Sequence, residues 1–121
     1  MPDTLDMLRW KKRILIVAGT DSHLVELQIN RAMAEKPELD DRDLIVLSLR
    51  DGSVEVLHGD ATLETSASEI SDKFDVEPDQ AFVAILVGKD GAAKWRAIRP
   101  VEFQEIAAVI DAMPMRQAEK E

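Results

Sequence analysis

The chain has 121 residues, 24 acidic and 15 basic, a net charge of −9 and no cysteine. At this length one domain is expected, and the missing thiols exclude disulfides, thiolate nucleophiles, Cys-ligated zinc and iron–sulfur clusters. The negative field disfavours nucleic acid and anionic membrane surfaces as partners, and no apolar run approaches the ~18 residues of a bilayer-spanning helix.

The start, Met1 to Asp6, lacks the basic and apolar regions of a secretory leader. Taken as complete, the sequence is expected in the cytoplasm; with a leader removed, it is expected in the periplasm or outside the cell. Residues 1–7 are expected to be flexible. Arg9-Trp10-Lys11-Lys12-Arg13 is a basic cluster around one aromatic, and Ile14-Leu15-Ile16-Val17-Ala18 continues from it as an apolar run suited to a central strand. Gly19-Thr20-Asp21-Ser22 breaks that run with turn and capping residues. A helix follows, with Val25, Ile29, Ala32 and Met33 along one stripe and Pro37 expected to stop it.

Leu44 to Leu49 reads as a second buried strand. Asp51-Gly52 suggests a hairpin into a short accessory strand carrying Val54 and Val56. Ser66-Ala67-Ser68-Glu69 has the spacing of a capping box ahead of a helix with Ala67, Ile70 and Phe74 on one face. Phe82 to Val87 is a third buried strand. The turn Lys89-Asp90-Gly91 leads into Ala93 to Ala97, whose alternation predicts an antiparallel strand with one wet face. Pro100 is expected to open a last helix bearing Phe103, Ile106, Ala107, Ile110 and Met113; Pro114 is expected to end it, with residues 115–121 as a flexible tail.

The order β-α-β-(β)-α-β-β-α predicts an α/β domain over residues 8–114, with a mixed sheet of four or five strands between helical layers. That order resembles the thioredoxin fold. Three segments carry a narrower resemblance: Leu8 to Val17, Leu86-Val87-Gly88-Lys89-Asp90-Gly91, and Ile110-Asp111-Ala112-Met113-Pro114-Met115-Arg116. They look like a domain-of-unknown-function family of small, often secreted, bacterial thioredoxin-like proteins. Related domains occur in animal extracellular proteins of the sushi-repeat, DRO/URB and equarin type. The resemblance implies a three-layer thioredoxin-like sandwich and supplies no catalytic residues.

In thioredoxin-like proteins the reactive cysteines lie between the first strand and its helix, where helix-end N–H groups favour a thiolate. The corresponding stretch here is Gly19-Thr20-Asp21-Ser22-His23. Three readings stand for it. Asp21 or Ser22 is an N-cap with His23 on the surface; Thr20, Ser22 and His23 form a thiol-independent catalytic group, their Thr-x-x-His spacing resembling the Thr-x-x-Cys of peroxiredoxins; or the helix end binds an anion. Pro78 lies four residues before Phe82, which leaves open the cis-proline that thioredoxin-type folds carry before this strand.

His23 and His58 show no metal-ligand spacing, so no metal and no cofactor are expected. Asp40-Asp41-Arg42-Asp43 lacks the pattern of a calcium loop and reads as a solvated turn. The leading expectation is a non-redox binding domain, its partner another protein or an extracellular or envelope component. Arg9, Trp10, Lys11, Lys12, Arg13 and Trp95 are the candidate contact residues. Strand 93–97 is a possible homo-oligomer edge, and the enzyme built on Thr20, Ser22 and His23 is the alternative.

Overall fold

The run Arg13–Ala18 forms strand β1, with all six residues buried. In this computed structural model the described residues are 11–50, 53–59 and 66–119. Four more strands follow: β2 (Leu44–Arg50), β3 (Ser53–His58), β4 (Val83–Val87) and β5 (Ala93–Ala97). They form one sheet in the order β3-β2-β1-β4-β5. β1 pairs with β2 in parallel and with β4 antiparallel, while β3 and β5 close the two edges antiparallel to β2 and β4. The parallel pair needs a crossover, and the β4–β5 pair needs only a tight turn, as the order of elements predicts.

Five helices lie among the described residues: α1 (Ser22–Met33), α2 (Lys36–Asp41), α3 (Ala67–Phe74), α4 (Phe103–Asp111) and α5 (Pro114–Glu119). The pleat sorts alternate strand residues to opposite faces. Leu15, Val17, Leu44, Val46, Ala84 and Leu86 pack with Val25 and Ala32 of α1, Leu39 of α2, and Phe103, Ile106 and Ile110 of α4. On the other face Ile14, Ile16, Ile45, Leu47, Val83 and Ile85 pack with Ala67, Ile70 and Phe74 of α3. The domain is therefore the expected three-layer α/β sandwich. The accessory strand is β3, although the Asp51-Gly52 turn before it lies outside the described residues.

Three expectations about prolines need correction. Pro37 does not stop the first helix; α1 ends at Met33, and Pro37 sits in the first turn of α2, where its missing N–H costs no helical bond. Pro100 does not open the last sheet-packed helix, since α4 begins at Phe103 after an N-cap at Glu102. Pro114 ends nothing either. It starts α5, so the segment read as a tail is helical as far as Glu119, with Arg116 3% exposed.

Candidate functional site

The two ends of β1 place the candidate residues in separate neighbourhoods. Six strand residues set those ends roughly 20 Å apart.

At the trailing end, Gly19 and Thr20 run against the segment entering β4. The amides of Thr20 and Asp21 donate to the carbonyls of Gln80 and Ala81, each at 3.0 Å. A Cβ on Gly19 would lie 2.1 Å from the carbonyl oxygen of Ala81, so the close approach requires glycine. Asp21 is the N-cap of α1, its Oδ1 accepting from the amides of His23 at 3.0 Å and Leu24 at 3.3 Å. Four amides at this end, those of Thr20, Asp21, His23 and Leu24, are thus paired within the chain, beside a carboxylate that repels anions. Thr20, Ser22 and His23 are all exposed, and no hydrogen bond joins their side chains among the described residues. No cis peptide bond occurs among the described residues, so the Gln80-Ala81-Phe82 approach to β4 is built without one.

At the leading end, the heads of β1 and β2 meet the tails of β3 and β4, through the pairs Arg13–Leu44, Val46–His58 and Ile14–Val87. Four cations gather there at low exposure: Arg13 at 0%, Arg116 at 3%, Arg42 at 7% and Lys89 at 9%. Burying a charge is costly unless it is paired, and each of these is. Arg13 sends Nη1 and Nη2 to the two carboxylate oxygens of Glu119, at 3.3 and 3.1 Å, and Nη1 also donates to the Arg42 carbonyl. Lys89 Nζ donates to Glu119 at 2.7 Å and to Asp43 at 2.9 Å. Arg42 binds Glu38 and Asp111; Arg116 binds Asp111, Asp41 and the Asp41 carbonyl. Burial would raise the Glu119 pKa, but the hydrogen bonds and charges of Arg13 and Lys89 prevail and lower it to about 2. Burial likewise opposes charge on Arg42 and Arg116, and their carboxylate partners overcome it, raising both pKa values.

This network corrects two expectations. Arg13 belongs to no surface patch, because its side chain is fully buried; and Asp40 to Asp43 is solvated only in part, Asp40 and Asp41 being exposed while Arg42 is an inner member of the cluster. Of the other basic-cluster residues, Arg9 and Trp10 lie outside the described residues, Lys11 is exposed, and half-buried Lys12 approaches Asp43 at 3.7 Å. Trp95 stands apart on edge strand β5, half-buried against the core. Lys12 also lines a cleft of about 230 Å³ with Asp40, Asp43, Leu44, Ile45, His58 and Gly59. Inside it His58 Nε2 lies 2.8 Å from Asp40 Oδ1. Among the described residues no group of three His, Asp or Glu side chains is arranged to hold a metal ion.

Sequence reasoning missed Arg42, Lys89, Asp111, Arg116 and Glu119 as a group. A usable signal was present: Arg13, Lys89, Asp111 and Arg116 fall in the three separate segments that carry the family resemblance, and the fold brings them to one pole.

The chain belongs to the family described as "Domain of unknown function (DUF4174)", whose model matches residues 4–119. No curated protein matches the sequence. Among solved structures, the chain is similar to the reduced 2-Cys peroxiredoxin of Plasmodium vivax, with 16% identity, a TM-score of 0.64, and 97% of this chain and 85% of that one covered. It is also similar to the mitochondrial 2-Cys peroxiredoxin of Plasmodium falciparum, with 13% identity, a TM-score of 0.57, and coverages of 94% and 82%. At these identities the likeness shows a thioredoxin-like fold alone. The chain carries no cysteine with which to share the chemistry in those names.

Proposed function

We propose that the chain is a non-redox binding domain, and that it meets its partner at the pole around the head of β1. The observation that supports this reading is the pairing of the trailing-end donors: the amides of Thr20, Asp21, His23 and Leu24 are all bound within the chain. The leading end offers exposed Lys11, half-buried Lys12 and a polar cleft instead. At about 230 Å³ that cleft is smaller than the ~300–1,000 Å³ of drug-sized ligand sites. Its size suits an inserted side chain of a protein partner. The partner proposed is another protein, in the envelope or outside the cell.

The test is cross-linking in native cells with a photoreactive residue in place of Leu27, exposed on α1, as the reference position, and another at Lys11. Capture from position 11, lost at least tenfold when Lys12→Glu is added with the fold intact, supports the reading. Equal capture from both positions, unaffected by charge reversal, overturns it. An activity with a histidine pH profile that His23→Ala abolishes would establish the thiol-independent enzyme in its place.

A further inference from the structure

We propose that Arg13, Lys89 and Arg116 form a binding site for a small carboxylate ligand, and that the chain's own Glu119 occupies it as a plug. The inference stands without Lys11 and Lys12 as a docking patch, although it shares with that reading the cleft that Lys12 lines.

The geometry is that of a carboxylate clamp. One Glu119 oxygen faces Arg13 Nη1 at 3.3 Å and Arg116 Nη1 at 3.6 Å; the other faces Arg13 Nη2 at 3.1 Å and Lys89 Nζ at 2.7 Å. Each oxygen thus meets two cations, and the Arg13 fork is bidentate, the arrangement guanidinium offers to planar carboxylates. Among the described residues Glu119 is the one carboxylate that Arg13 pairs with. Arg13 Nε is buried without a partner, so the guanidinium is not fully satisfied by Glu119 and the Arg42 carbonyl.

The element delivering Glu119 is weakly held by everything except charge. α5 is six residues long, and its buried residue is Arg116, itself a member of the clamp. Met115 is 39% exposed and Ala118 is exposed, so the helix contributes little apolar surface to the core. A helix this short has little stability of its own. A carboxylate from outside would replace Glu119 with like chemistry, while displacement without a replacement would leave Arg13 buried and unpaired. Access has a basis too: Asp43 accepts from Lys89 and lines the cleft, which puts the clamp's Lys89 directly behind the cleft wall.

The experiment titrates the full chain with sodium acetate, succinate, phosphate and chloride at matched ionic strength, following backbone amide resonances of residues 88–90, 111–113 and 115–119. The expected result is a saturable shift of these amides by acetate or succinate. Chloride should give only small linear shifts, and apparent affinity should rise at least about tenfold in Glu119→Gln, where the internal competitor is gone. Adding Lys89→Met to that variant should remove the gain. Linear shifts identical for all four salts up to 100 mM-scale concentrations (~100 mM, far above ordinary ligand affinities) would overturn the proposal. Saturation by phosphate with none by acetate or succinate would overturn the carboxylate assignment. Should Glu119→Gln fail to fold in chloride, the wild-type titration still decides, since competition at the plug is read there directly.

Discussion

Glu119 and Asp21 are both acidic, yet they do opposite things to the ends of β1. Asp21 seals the start of α1 by accepting two amide hydrogen bonds, and replacing a capping Asp with Ala costs about 1 kcal/mol. Asp21→Ala should therefore lower the unfolding free energy by that much in denaturant titration, whereas His23→Ala, at an exposed first-turn position, should stay within about 0.5 kcal/mol of wild type. Equal losses in the two variants would mean that His23 has a structural role no contact here supplies. Gly19→Ala is expected to be far worse than either, because the added methyl meets the Ala81 carbonyl at 2.1 Å and the β1–β4 junction has to open. A soluble, fully cooperative Gly19→Ala protein would contradict that. The N-cap was legible in the sequence, since Asp followed by a helical stripe is a local signal. The glycine's reason was not, because Ala81 is distant in sequence.

Among the elements, the strands and the capped helix α3 were legible and the six-residue helices α2 and α5 were not. β1, β2 and β4 announce themselves as apolar runs buried on both faces, and β5 by alternation, with Trp95 half-buried between exposed Lys94 and Arg96. Lys94 is tied to Asp90, whose pKa is lowered by that hydrogen bond, and Arg96 donates to the carbonyls of Phe74 and Asp75 at the end of α3. These ties hold β5 to its own hairpin and to α3. Trp95→Ala removes part of a core lid and should cost about 2 kcal/mol, toward the low side for a Trp because burial is incomplete; unchanged unfolding would place the indole outside the core. The helices α2 and α5 escaped notice because proline was read as a terminator, while at a first turn it is an initiator. α5 also lacks an apolar stripe, so hydrophobic periodicity carries no trace of it.

For the whole molecule, the ionic pole links pH to stability. Glu119 titrates at about 2 in the folded chain against an ordinary value of 4.5. A depressed carboxylate contributes stability that is fully present above 4.5 and lost as pH falls through that window toward 2. Wild type should accordingly lose more stability than Glu119→Gln between pH 5 and about 2, read by urea unfolding at each pH; parallel curves would remove Glu119 from the network's energetics. The pair should also be asymmetric. Arg13→Met leaves Glu119 with Lys89, whereas Glu119→Gln leaves a fully buried guanidinium without its carboxylate, so the second change should be the more costly. Beyond the placing of Arg13, Lys89, Asp111 and Arg116 in the three resemblance segments, which charge meets which was not legible along the chain. A charged residue at the head of an apolar strand looks like a solvent-facing lead-in until its partner is known, and that partner lies 106 positions away.

That separation bears on how the chain is made. Among the described elements Arg13 belongs to the first strand to be made, and its counter-charge is on the last helix. While the rest is synthesised, at roughly 5–20 residues per second, the centre of the sheet carries a guanidinium with no carboxylate to meet it. β1 must also wait for β4 before both its edges are paired. Contacts of such long range slow folding, so this sandwich is expected to close late, once β4 and the helix carrying Glu119 have both been made.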